Sequence, residues 1–304
     1  MTSARYARFL PEKYRDFPDP VTTTWEWHDT KVRIARAADD SASTKMLAVH
    51  GAGGHSGALW PLASLAATRG AEVLMPDMPL YGRTIVPDTG RVTYDEWVQM
   101  LCDLVDHEQE RDPRPLVIFG ASMGGMLAYE VAARTKKVAD VVVTCLLDPS
   151  DPDARSSAAR FDVLGEHAPR LLAASAAVAG RVRVPVRWIM DIANMSADPG
   201  LSATCAKDPL GGGVSLPLRF LHSFMSFRHT RPEEYDGPRV TLVHPAEDRW
   251  TPPELSLKFL DRIAAPTDSV MLEGCGHFPI EEPGLTQLID TMEDIALSHG
   301  WTPT

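Results

Sequence analysis

The chain has 304 residues, 44% of them hydrophobic and 23% charged, with a formal net charge of −11. That is apolar material enough for one large core, or one core with an insertion, and the charge is near the globular average, so wholesale disorder is disfavoured. The negative balance disfavours nucleic acid and anionic membrane surfaces as partners, because both would repel it.

The N-terminal stretch MTSARYARFLPEKYRDFPDP lacks the apolar run of a secretory signal, and no stretch of about 18 apolar residues occurs anywhere. Cys102, Cys145, Cys205 and Cys275 form no CxxC pair. Reduced thiols in a cytoplasmic protein are the expectation. There is no internal repeat.

In chain order, residues 23–28 and 31–36 read as two short strands. Six short apolar runs follow: KMLAVH (45–50), EVLMP (72–76), PLVIF (115–119), DVVVTCLL (140–147), RVTLVH (239–244) and SVMLEG (269–274). Nearly continuous runs of this length suit strands buried on both faces. Apolar residues at helical spacing fill 57–69, 93–109, 123–134 and 253–264, with Thr93 and Glu96 placed for a capping box. The alternation predicts an α/β fold with a mostly parallel sheet of about eight strands, flanked by helices.

The alternation breaks at 149–237. This segment shows no clear strand and is bounded by the polar, Pro-rich stretches DPSDPDARSS and RPEEYDGP. Helical patterns are expected at 168–178, 184–195 and 216–227, with Pro185 in a first turn. The expected organisation is a core of 1–148 and 238–304, with 149–237 a helical cap inserted ahead of strand 239–244.

GASMGG at 120–125 lies after an apolar run and before a helical one. It is not a phosphate loop, because no lysine follows its glycines. It fits G-x-S-x-G, which sets a serine on a tight strand-to-helix turn and aims helix amides at an oxyanion. Ser122 is then the candidate nucleophile. A base follows in GCGHFPIEEP, where His277 hangs on a glycine-flanked loop after the last strand. An orienting carboxylate follows the preceding strand in HPAEDRWTPP. Asp248 is preferred there over its rival Asp148, which ends an earlier strand. The order Ser122, Asp248, His277 is that expected of a nucleophile elbow enzyme. The glycines of GAGGHSG, after KMLAVH, permit main-chain amides to approach a substrate oxygen.

The stretches HGAGG, GASMGG, HPAEDRWTPP and GCGHFPIEEP resemble the signatures of the α/β-hydrolase superfamily, over about residues 22–299. HGAGGHSG is most similar to the monoacylglycerol lipase, lysophospholipase and carboxylesterase branch. The resemblance implies an oxyanion hole formed by the amides of Ala52 and Met123, and no cofactor. Two stretches depart from the family pattern. His244-Pro245 stands where many relatives have His-Gly, and DMPLYGRT (77–84) carries Tyr81 and Thr84 in a turn of structural role.

Other readings explain less. Gly51, Gly53 and Ser56 with Asp77 have the spacing of a dinucleotide site, but that leaves Ser122, Asp248 and His277 without a purpose. His50, His55, His222 and His229 lack the i, i+4 arrangement of a metal site and read as scattered polar residues. A non-catalytic ligand-binding module draws no support from a chain that retains all three residues. The expected activity is hydrolysis of a carboxylic ester with an apolar or acyl-chain substrate. Amide, thioester or carbon–carbon bond cleavage and perhydrolysis are the alternatives on the same machinery. Met190, Met195, Phe220, Phe224 and Met225 are the candidate substrate contacts, although side chains at such spacing commonly serve as core.

Overall fold

The computed structural model describes residues 2–158 and 179–302. Its main sheet has eight strands: β1 (Val21–Trp27), β2 (Thr30–Ala37), β3 (Thr44–Val49), β4 (Ala71–Pro76), β5 (Leu116–Gly120), β6 (Asp140–Val143), β9 (Val240–Pro245) and β10 (Thr267–Leu272). Two further strands, β7 (Arg183–Pro185) and β8 (Ser215–Pro217), pair separately. The spatial order of the main sheet is β1-β2-β4-β3-β5-β6-β9-β10. Strand β2 runs antiparallel to β1 and β4, and every pairing from β4 to β10 is parallel.

Strands β3, β4 and β5 are buried at every position, which is why their sequences are continuous rather than alternating. Helices Tyr94–Arg111 and Met123–Thr135 pack against each other over the sheet. The first opens with a complete Thr93/Glu96 capping box and buries Trp97, Val98, Leu101, Leu104 and Val105. At the amino ends of the parallel strands, the buried carboxylates of Glu72 and Glu108 pair with Arg36 and Arg111, and Glu72 also with Arg114. The strand order positions the site. Strand β3 lies between β4 and β5, so the chain leaves it in one direction and returns on its other side. A crevice opens at such a switch point, outside the carboxyl ends of the strands.

The intervening segment differs from its sequence reading. Residues 184–195 are not one helix. They begin in β7, continue in a short helix Val186–Ile189, extend through Met190, and end in a 3-10 turn Ile192–Asn194. Pro185 holds an extended backbone (φ −58°, ψ 130°) and β-branched valines flank it, so the chain pairs with β8 instead. This two-stranded ribbon is the strand content that the sequence did not reveal, because three residues are too few for a visible period. The third helix is Leu218–Ser226. The helix expected at 168–178 lies outside the described residues. Strand β6 ends at Val143, short of the expected 147; the next residue, Thr144, still donates its amide to Gly120 O (3.0 Å).

No helix among the described residues is long and apolar enough to cross a membrane. All four cysteines are free and buried.

Candidate active site

Ser122 sits between β5 and helix Met123–Thr135 with φ 55° and ψ −123°, a backbone region costly for a residue with a side chain. The turn survives because its neighbours have no side chains. A Cβ on Gly120 would fall 2.2 Å from the Gly124 carbonyl oxygen, and one on Gly124 would fall 2.3 Å from that of Val49. The strained amide of Ser122 donates to Thr144 Oγ1 (2.9 Å), and the amide of Ala121 to Val49 O (2.9 Å).

The loops after β9 and β10 bring a carboxylate and an imidazole to this turn. Asp248 Oδ2 lies 2.7 Å from His277 Nδ1, and His277 Nε2 lies 2.9 Å from Ser122 Oγ. The buried carboxylate accepts three further hydrogen bonds. Oδ1 takes the amides of Trp250 (2.8 Å) and Thr251 (2.9 Å), while Oδ2 also takes the Thr251 hydroxyl (2.6 Å). Burial opposes its charge. The neighbouring His277 and the bonds from His277 and Thr251 nevertheless hold its pKa at about 2. An ionised acceptor fixes the proton on Nδ1, so Nε2 is the atom that accepts from the serine hydroxyl. The two loops are also tied to each other, with the Glu247 amide donating to Cys275 O (3.0 Å). The rival Asp148 lies elsewhere. It faces His229 (3.5 Å) and accepts from Ser150.

Ala52 follows β3, and Met123 opens the helix after Ser122. Neither main-chain amide has an acceptor among the described residues. The loop carrying Ala52 is held by His50, a residue that the sequence reading treated as incidental. His50 Nδ1 donates to Gly51 O (2.8 Å) and Nε2 accepts from the Met78 amide (3.0 Å). Burial pushes its pKa down to about 4, which keeps the ring neutral in this role. His55 is also fixed. Its Nδ1 accepts from the Gly57 amide (3.1 Å), and its Nε2 donates to the buried Asp208 (3.2 Å), which also accepts from Tyr6 (2.5 Å). Asp77 is engaged by the amides of Ser56 and Arg83, both at 2.7 Å, a structural use of that carboxylate. Among the described residues no cluster of His, Cys, Asp and Glu converges as metal ligands would.

Two chambers meet at Ser122. The larger encloses ≈ 880 Å³, counted to its open mouth, and is walled by Met126, Leu147, Val186, Ile189, Leu221 and Trp250 among others. The smaller encloses ≈ 560 Å³ between the loop 50–54 and the His277 loop. Met190, Phe224 and Met225 line the larger chamber, and Met195 lines the smaller. Phe220 lines neither. It is fully buried on Trp97 (4.5 Å between ring centroids), because the first turn of its helix packs on Tyr94–Arg111. Thr144 lies in no signature stretch, and although His50 opens HGAGG and Thr251 lies in HPAEDRWTPP, only their hydrogen bonds reveal what these three residues do.

Known structures share this architecture. A soluble variant of monoglyceride lipase from Saccharomyces cerevisiae, in complex with a substrate analogue, is similar with a TM-score of 0.76 and 17% identity, covering 97% of this chain and 99% of that one. The monoacylglycerol lipase of Paleococcus ferrophilus is similar with a TM-score of 0.68 and 20% identity, covering 88% and 99%. A thioesterase domain from the curacin biosynthetic pathway has a TM-score of 0.61 and 16% identity, covering 92% and 100%. In sequence, the uncharacterized protein YfhR of Escherichia coli (strain K12) is 30% identical over 95 residues, which are 31% of this chain and 33% of that relative's length. The model of the alpha/beta hydrolase family matches residues 46–286, from β3 to the start of the last helix, and this chain belongs to that family.

Proposed function

We propose that this protein is a serine hydrolase that cleaves carboxylic esters of apolar, acyl-chain substrates by way of an acyl-enzyme on Ser122. The observation that carries this reading is the continuous bonding from Asp248 through His277 to Ser122 Oγ, at the meeting point of two apolar chambers. His277 Nε2 takes the hydroxyl proton as Ser122 attacks the ester carbonyl. Asp248 holds the ring in one tautomer and stabilises the imidazolium that forms. The open amides of Ala52 and Met123 receive the oxyanion. His277 then protonates the departing alcohol, and water releases the acid by the reverse sequence. The described residues of the segment 149–237 supply much of the larger chamber's wall, and we read that segment as the cap that selects the substrate. The monoglyceride lipases similar in fold favour an ester over an amide.

The test is a series of p-nitrophenyl esters of rising chain length, run beside a monoacylglycerol, an amide and a thioester. Ester turnover rising with chain length is expected, with Ser122→Ala lowering kcat by about 10⁴-fold or more. A fluorophosphonate should label Ser122 in the native protein. Ester hydrolysis undiminished in Ser122→Ala would overturn the proposal.

A further inference from the structure

The two chambers differ in what they present to the bond that breaks. His277 lines the smaller one and is absent from the wall of the larger. In ester cleavage Nε2 must hand its proton to the departing oxygen, so the alcohol leaves from the side of the imidazole. That side is the smaller chamber, and the acyl part is left with the larger.

The wall of the smaller chamber then defines the alcohol. Helix Ser56–Ala63 contributes Ala58, Leu59 and Leu62 to it, and the loops contribute Met195, Phe278 and Pro279. The polar side chains of the same wall are already engaged. Ser122 and His277 take part in the reaction. His50 is buried with both ring nitrogens bonded, to Gly51 O and to the Met78 amide. Thr144 is buried and takes the Ser122 amide. Cys205 is buried, and a thiol is a weak hydrogen-bonding partner. The free hydroxyls of glycerol would lose their water here without a side chain to replace it among the described residues, which is costly. Methylenes in the same place are favoured, because each removes apolar surface from water.

We infer that the alcohol part of the substrate is a monohydric, apolar alcohol and not glycerol. This rests on the reading of Ser122 as an ester-cleaving nucleophile. Met195 then limits the length of the alcohol, and Met190, in the wall of the larger chamber, limits that of the acyl chain.

The experiment compares propyl octanoate with 1-octanoylglycerol, each kept below its aggregation limit. The two share an acyl part and a propyl skeleton and differ only in the free hydroxyls. The native enzyme should favour the propyl ester in kcat/KM by about tenfold or more, mostly through KM. Along the series from methyl to pentyl octanoate, kcat/KM should rise by about threefold per methylene. Met195→Ala should move the best alcohol to a longer one without moving the best acyl length. Met190→Trp should shorten the best acyl chain without moving the best alcohol. Binding of the propyl and glyceryl esters to Ser122→Ala protein, measured by calorimetry, should show the same preference as turnover. Equal or better turnover of the glyceryl ester by the native enzyme would overturn the inference and leave ester cleavage by Ser122 standing. A shift of the acyl optimum in Met195→Ala would overturn it too, because the chambers would then be exchanged. A calorimetric preference for the propyl ester, with neither ester turned over, would support the apolar chamber while defeating the reading of Ser122.

Discussion

A Cβ on Gly51 would lie 2.7 Å from the Cβ of Ser122 and 3.2 Å from the amide nitrogen of Met123. The loop after β3 therefore rests directly on the turn after β5, and the absence of one side chain sets the spacing between the amides of Ala52 and Met123. Gly51→Ala must push the two loops apart, since the obstacles are backbone and a Cβ rather than a flexible side-chain end. We expect kcat to fall by about 10²–10³-fold, the range for losing an oxyanion donor, while KM changes little. Steady-state kinetics on a short-chain ester checks this. An unchanged kcat would mean that these amides do not hold the oxyanion.

Thr144 is the residue that pins the strained serine. Its side chain is buried and accepts the Ser122 amide, so Thr144→Val leaves a buried N–H unpaired with almost no change of shape. The expected cost is about 1–3 kcal/mol in urea denaturation, with a loss of kcat as Ser122 drifts from His277. Thr144→Ser should restore both. Equal behaviour of the valine and serine variants would remove Thr144 from the site.

Asp248 ties stability to acid. An aspartate in an unfolded chain has a pKa of about 3.9, and the folded protein holds this one at about 2. The folded state is therefore favoured while the carboxylate is charged. Its contribution is complete above about pH 5 and is lost as the pH falls through about 2. Asp248→Asn should flatten the stability curve between these limits, as followed by thermal denaturation at each pH. At neutral pH the same variant should lose about 10⁴-fold in kcat, because an amide can present its N–H and stabilise the wrong tautomer of His277. A variant that keeps the native acid slope would show that other carboxylates carry it.

The sheet was largely legible because its signals are local. A strand buried on both faces must be apolar at successive positions, and a helix covering it must repeat near 3.6 residues, so β3, β4, β5 and β9 stand out within a few residues of their observed ends. The capping box at Thr93 and Glu96 is equally local. The segment ahead of β9 was less legible. Its strands β7 and β8 are three residues each and are held by one another, across 29 intervening residues from Pro185 to Ser215. Phe220 and Phe224 share one apolar helix, yet only Phe224 reaches the chamber, because the placement of Trp97 decides which of them is core.

By itself the sequence determined the strands of the main sheet, their order along the chain and the choice of Ser122, Asp248 and His277 as the residues worth testing. Each is announced by the glycines, prolines and strand ends beside it. The tertiary structure decided what those residues meet. Ser122 and His277 are 155 positions apart and Asp248 and His277 are 29 apart, so no local pattern could bring them to hydrogen-bonding distance. It also decided that Thr144, Thr251 and His50 brace the site, and that His277 lines the smaller chamber and not the larger. Hydrophobic periodicity is written along the chain, whereas the satisfaction of a buried charge or amide depends on what folds against it.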